Sequence, residues 1–339
     1  MFKSILKFII ISIILFAICL AGFLVYMFTG KAPVVEKIDF GITFSQYFAE
    51  QMDLDWKKMY LAILDELGVK KMRLVAYWQK IEPEQGKYSF EDLDWQIEEA
   101  RKRDIEVILV IGRKVPRWPE CHIPEWAHEL SESEQQEELL FLISEIVNHY
   151  QGNKTIKIWQ VENEPFLMGF GECPKLDKEF LEKEINLVRE LDFDNRQILL
   201  TASGELSSWI QPARKADLFG TTLYRIVWSD TLERHVEYPI PAVFYHKRAK
   251  LVKWITGIER IIIIELQAEP WNHLMIWETT PEEQDKTMNL ERFKGIIKYT
   301  EQTGFDEAYL WGAEWWYWLR EKHDIDTLWI EAQKLWVRP

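Results

Sequence analysis

The hydrophobic positions follow two regimes. From 8 to 28 there is no charged residue, and only Ser12, Cys19, Gly22 and Tyr26 interrupt an otherwise apolar run. From residue 38 onward, short apolar runs alternate with longer amphipathic stretches. The short runs lie at 38–44, 71–76, 106–112, 156–161, 197–202, 218–223, 260–266 and 308–312. Several are continuous and rich in β-branched residues, notably Val107-Ile108-Leu109-Val110-Ile111 and Ile261-Ile262-Ile263-Ile264. Such runs predict strands buried on both faces, as in parallel sheets. Stretches 55–67, 91–103, 133–150, 177–191 and 281–302 carry apolar residues at helical spacing. The first stops at Gly68. The last opens with Thr280-Pro281-Glu282-Glu283, an N-cap followed by proline and first-turn acids.

Eight strands alternating with helices predict an α/β protein, a (β/α)8 TIM barrel. A doubly wound open sheet is the rival, but no glycine-rich phosphate fingerprint follows the first strand. No Ser/Gly- or Pro-rich linker follows residue 40, so 32–339 is expected to form one catalytic domain.

As a helix, the run 8–28 spans roughly 30 Å, the thickness of a bilayer core. Lys3 and Lys7 precede it, which keeps the N-terminus cytoplasmic and exports the rest. Residues 1–31 are therefore predicted to be a transmembrane signal anchor, with the lipid bilayer as partner and the domain extracytoplasmic. Secretion after signal cleavage is the alternative. A signal peptide has an apolar region of about 7–15 residues before a small-x-small site, and Val25-Tyr26-Met27-Phe28 is a poor one. Ile18 before Cys19 is likewise too bulky for a lipoprotein signal.

The chain carries 55 acidic against 41 basic residues, net −14. Every charge within 1–31 is a lysine, so the exported part is more acidic still. That balance argues against nucleic acid or anionic lipid as the domain's partner and says little about a neutral sugar. Of three cysteines, Cys19 lies in the apolar run. Cys121 and Cys173 remain, in a compartment that permits disulfides. They fall in loops after adjacent strands, and a Cys121–Cys173 bridge is expected, which needs Cα atoms within about 7 Å.

In this barrel the chemistry sits at the C-terminal ends of the strands. The fourth strand ends in Trp159-Gln160-Val161-Glu162-Asn163-Glu164-Pro165 and the seventh in Ile264-Glu265-Leu266-Gln267. Strands four and seven lie on facing sides, so Glu164 and Glu265 can converge over the mouth. Two converging carboxylates suit glycosidic hydrolysis. One stays protonated for the leaving oxygen, the other ionised to attack, and a separation of roughly 5–5.5 Å implies retention.

Trp159 to Pro165 resembles the strand-four signature of clan A glycoside hydrolases, including families 5, 10, 39 and 42. The resemblance extends over about 38–336 through motif order. It implies Glu164 as acid/base, Asn163 as partner of the sugar 2-hydroxyl and Glu265 as nucleophile. Glu269 in Glu-Leu-Gln-Ala-Glu-Pro-Trp is a second candidate, set aside because Glu265 follows the buried run directly. Arg73 at the second strand's end fits a group that keeps the nucleophile ionised. Tyr224, ending the sixth strand, is similar to tyrosines that donate to the nucleophile. Trp311, ending the eighth, fits the tryptophan beneath the sugar at the cleavage point.

Many of the 17 tryptophans fall in strand-end loops, and indole faces stack on sugar C–H faces. Trp118, Trp271 and Trp315 are the expected sugar contacts, with Gln267, Glu314 and Arg113 as hydroxyl partners. No cofactor is expected. The histidines are scattered, with none in 38–44, which disfavours a metal-dependent hydrolase. A phosphate loop and a Gly-x-Ser-x-Gly elbow are both lacking. The expectation is a retaining β-glycoside hydrolase acting on an oligo- or polysaccharide of unassigned sugar. A non-catalytic glycan-binding barrel and a transglycosylase using the same residues stay open.

Overall fold

Every predicted strand takes its place in one closed parallel barrel. A computed structural model describes residues 2–336. Met1 and 337–339, the outer limits of the two expected segments, lie outside the described residues, as does the side chain of Lys3. The barrel strands are β1 (Asp39–Thr43), β2 (Lys71–Val75), β3 (Glu106–Ile111), β4 (Ile156–Val161), β5 (Gln197–Ala202), β6 (Leu218–Leu223), β7 (Ile261–Gln267) and β8 (Glu307–Trp311). Each pairs in parallel with its sequence neighbours, and β1 closes on β8. The main helices are α1 (Phe2–Phe28), ahead of the barrel, then one packed after each strand: α2 (Trp56–Ala62), α3 (Glu91–Arg101), α4 (Glu132–His149), α5 (Lys178–Leu191), α6 (Ile210–Lys215), α7 (Ala242–Thr256), α8 (Leu290–Glu301) and α9 (Ala313–His323), with shorter helices at Gln46–Gln51, Trp78–Ile81, Pro281–Gln284 and Thr327–Gln333.

Local chemistry explains most of these limits. Asp55, Ser131, Asp177 and Asn289 cap α2, α4, α5 and α8 by accepting from backbone N–H groups of the first turn. α2 loosens into a π-helical turn over Ile63–Leu67 before Gly68 turns left-handed. The helix expected over 281–302 is two helices, Pro281–Gln284 and α8, because Asn289 starts a new cap between them. A hairpin missed in the sequence, Ile226–Ser229 with Arg234–Glu237, projects after β6.

Ile108, Ile158, Leu199, Leu218, Ile262, Ile264 and Tyr309 fill the barrel interior. Gly41 is required beside them, since a Cβ there would meet the Tyr309 ring at 2.5 Å. A larger apolar layer lies between the strands and the helices. Tyr77, Val75, Val110 and Val115 pack above, toward the C-terminal strand ends. Among the described residues one helix, Ile5–Phe28, is long and apolar enough to cross a membrane.

Candidate active site

The turn after β4 is held from three sides. The Glu162 carboxylate accepts backbone N–H bonds from Arg113 (2.7 Å) and Lys114 (2.8 Å) at the end of β3. Gly112 makes room for it, because a Cβ there would lie 2.5 Å from Glu162 Oε1. Asn163 N donates to Lys114 O (2.6 Å), and Glu164 N donates to Thr201 Oγ1 on β5 (2.8 Å). Glu162 and Glu164 both have positive φ, +58° and +43°. Such strained backbone persists only where surrounding bonds over-determine it, and it clusters at functional sites.

Arg73, fully buried on β2, is the hub beneath this turn. Its Nε donates to Gln160 Oε1 (2.9 Å), Nη1 to Glu265 Oε1 (2.8 Å) and Nη2 to Asn163 Oδ1 (2.8 Å). Tyr224 OH donates to the other oxygen of Glu265 (3.2 Å). Because Arg73 claims Oδ1 of Asn163, the Asn163 Nδ2 points away and donates to Glu120 Oε2 at 3.3 Å. Glu164, Glu265, Asn163, Arg73 and Tyr224 are thus gathered at one end of the barrel.

Glu164 is buried and its Oε1 has no hydrogen-bond partner. Burial, then the charges of Glu265 and Glu120, push its pKa well above the usual carboxylate range, with Lys114 opposing. Burial and the charge of Glu265 push Glu120 up to about 8. Two neighbouring carboxyls therefore favour the protonated form around Glu265, by desolvation first and like charge second.

A second buried charge cluster lies toward β7 and β8. Arg117, from the loop after β3, donates through both terminal nitrogens to the Glu269 carboxylate and through Nη2 to Glu314 Oε2 (2.8 Å). Its guanidinium sits between the rings of Phe48 (3.8 Å) and Trp311 (4.2 Å). Trp311 Nε1 donates to Glu269 Oε1 (2.7 Å), and Ser45 N donates to Glu314 Oε1 (2.7 Å). The loop after β3 thereby reaches the far side of the mouth.

The aromatic residues divide. Trp271 packs edge-on against Tyr224 (5.0 Å) and beside Phe170 (5.9 Å), which in turn meets Trp118 (6.4 Å). With Trp118 still 45% exposed, this row leads from solvent to the Tyr224–Glu265 contact. Trp315 is different: it is buried in the apolar layer on the inner face of α9, and its Nε1 is taken by Gln284 Oε1 (2.7 Å). Gln267 is buried too, and both its amide atoms are used. Oε1 accepts from Arg225 N (2.8 Å) and Ile226 N (3.1 Å), and Nε2 donates to Ile226 O (2.6 Å). Trp315 and Gln267 are therefore framework residues and not open sugar contacts. Glu314 and Arg113 are also engaged, Arg113 with Glu132 and Gln135.

Cys121 and Cys173 form a disulfide with Cα atoms 5.3 Å apart, joining the loops after β3 and β4. Glu120, Arg117, Gln160 and Phe170 went unassigned in the sequence. Only Glu120 carried a usable hint, as an acid beside the cysteine in a strand-end loop.

A β-galactosidase family model, that of glycoside hydrolase family 42, matches residues 46–138. The β-galactosidase BgaA of Clostridium cellulovorans is 24% identical over 49% of this chain and 28% of its own length. The chain thus spans well under two thirds of that relative. Among solved structures, xylanase 10B from Thermotoga petrophila aligns with TM-score 0.53 and 16% identity, covering 84% of this chain and 86% of its own. GH5_18 from Bifidobacterium longum gives 0.58 and 12%, covering 81% and 70%. The β-galactosidase from Rahnella sp. R3 gives 0.57 and 10%, covering 90% and 57%. These structural likenesses establish the barrel fold. Together with the sequence matches, they make the chain similar to clan A glycoside hydrolases, without assigning a single family.

Proposed function

We propose that the protein is a retaining β-glycoside hydrolase with Glu164 as acid/base and Glu265 as nucleophile. The observation that carries this reading is the contrast between the two carboxyls. Glu164 is buried with an unpartnered oxygen and a pKa well above the usual range. Glu265 is clasped by the Arg73 guanidinium and the Tyr224 hydroxyl. Glu265 attacks the anomeric carbon as the bond to the leaving oxygen breaks, forming a glycosyl ester. Glu164 gives its proton to that oxygen. Water, deprotonated by Glu164, then attacks the same carbon and releases Glu265. Asn163, oriented by Arg73, offers Nδ2 to the sugar 2-hydroxyl, and Trp311 lies beneath the ring. Glu265 is preferred to Glu269 because it lies in the buried run of β7 and its charge acts directly on Glu164.

The family match and the Clostridium relative favour a β-galactoside as the first substrate to test. Residues 1–31 form the membrane anchor and 32–339 the catalytic domain, outside the cytoplasm. The Cys121–Cys173 bridge supports that placement, since such bonds persist in oxidising compartments. The test assays the full chain in detergent on a panel of aryl β-glycosides, beside Glu164→Gln and Glu265→Gln. Turnover that survives both substitutions overturns the mechanism.

A further inference from the structure

Net charge speaks against anionic lipid as a partner of the domain as a whole, yet α7 departs from that balance. It carries Lys247, Arg248, Lys250 and Lys253 and no acid, in a chain of net −14. Arg248 turns inward, donating to Gly204 O and Ser207 O and stacking on Trp209 at 4.3 Å. The three lysines face outward at helical spacing, Lys247 half-buried and Lys250 and Lys253 exposed, joined by Trp254. That indole is 82% exposed, which sets it apart from Trp118, the other exposed tryptophan of the described residues.

The end of α1 is pinned to the start of this helix. Lys247 Nζ donates to Tyr26 O and Thr29 O and lies 4.0 Å from the Tyr26 ring centre, while Phe28 packs on Phe244 at 5.0 Å. At 1.5 Å per residue, Lys250 and Lys253 lie about 4.5 and 9 Å from Lys247 along the helix, close to the screening length of about 8 Å at physiological salt, and Trp254 follows directly.

We propose that the outward face of α7 rests on the anionic surface of the bilayer that α1 enters. This rests on α1 being membrane-embedded. Wherever the outer leaflet carries acidic headgroups the lysines are attracted to them by the same Coulombic force that acts at the cytoplasmic face, and tryptophan favours the headgroup level of either leaflet. The remainder of the domain, rich in acids, is repelled, so the sign of the charge selects this face. α7 flanks the barrel and, like the other outer helices, runs back along it, so the barrel lies on its side. The mouth then opens along the membrane and serves glycans held near the envelope surface.

The test uses the full chain in lipid nanodiscs, made of phosphatidylglycerol with phosphatidylcholine or of phosphatidylcholine alone, each with doxyl-labelled lipid. An environment-sensitive dye is placed on Cys19, the free cysteine of the described residues, or at position 254 through Trp254→Cys in a Cys19→Ser background. The expected result is quenching at Cys19 in both discs, and at position 254 in the anionic discs with at least a several-fold loss in phosphatidylcholine. Adding Lys250→Glu and Lys253→Glu should abolish the signal at 254, leaving Cys19 quenching and hydrolysis of a soluble aryl glycoside unchanged. Quenching at Cys19 with none at 254, or a signal at 254 indifferent to the lysines, overturns the docking while sparing the anchor. No quenching at Cys19 overturns both.

Discussion

Arg73 donates to Glu265 at 2.8 Å across 192 positions of sequence, binding β2 to β7 through the barrel interior. The same guanidinium orients Asn163 and Gln160. A lysine keeps the charge but places its donors on one nitrogen, without the planar fork that reaches Gln160, Glu265 and Asn163 from three separate nitrogens. Arg73→Lys should lower kcat/KM by about 100-fold or more, in line with losing one pre-organised donor. A value within a few-fold of wild type would remove Arg73 from the reading.

Glu164 and Glu265 should separate by leaving group. Glu164→Gln should lower kcat/KM about 10²–10⁴-fold on a substrate whose leaving group needs a proton, and far less on a dinitrophenyl glycoside, which leaves without one, while kcat falls on both because water has lost its base. Glu265→Gln should be severe on both. With the wild type, kcat/KM should fall as pH rises through the elevated pKa of Glu164, because the acid is then lost. Glu164→Gln should lack that alkaline limb. Equal losses of kcat/KM on both leaving groups would exclude Glu164 as the acid.

Glu120 binds its proton more tightly folded than unfolded, with a pKa raised from 4.5 to about 8. Its stabilising contribution is fully present below the unfolded value and is lost as pH rises through the folded one. Differential scanning calorimetry at several pH values should therefore show the wild-type Tm falling relative to Glu120→Gln between about pH 5 and pH 8. Parallel Tm curves for the two proteins would contradict a protonated Glu120.

Arg117 holds Glu269 and Glu314 together in a buried setting. Arg117→Met leaves two carboxylates without their cation, at a cost of about 3–5 kcal/mol. Burial already raises Glu314 and Arg117 opposes it, so removing Arg117 should deepen the loss at higher pH. Urea unfolding at acid and alkaline pH measures both effects. A stability change independent of pH would show that packing on Trp311 and Phe48, and not charge, is what Arg117 contributes.

The Cys121–Cys173 bridge closes a loop of 52 positions, for which chain entropy gives about 4 kcal/mol of stabilisation. Cys121→Ser with Cys173→Ser should lower the Tm and speed hydrogen exchange over the loops after β3 and β4. Unchanged exchange there would mean that Arg117 and Glu172, which hydrogen-bonds Pro119, hold the rim without it.

The eight strands could be read from the sequence because burial on both faces leaves a local trace, a continuous apolar run such as 107–111 or 261–264. The positions of Glu164 and Glu265 were legible for a related reason, as carboxylates within three residues of where such runs stop. Other positions had no local signature. Trp315 and Trp271 look alike in sequence, but which one faces the core depends on how α9 and the β7 loop seat against the barrel. Arg117 reaches Glu269 and Glu314, and Glu120 reaches Asn163, only after closure brings the loop after β3 over the mouth. The lysines of α7 vanish in an acidic total and become a surface only when the helix turns them outward together. Periodicity records burial along one element, whereas convergence between elements is set by barrel closure, and that relation is a property of the tertiary structure alone.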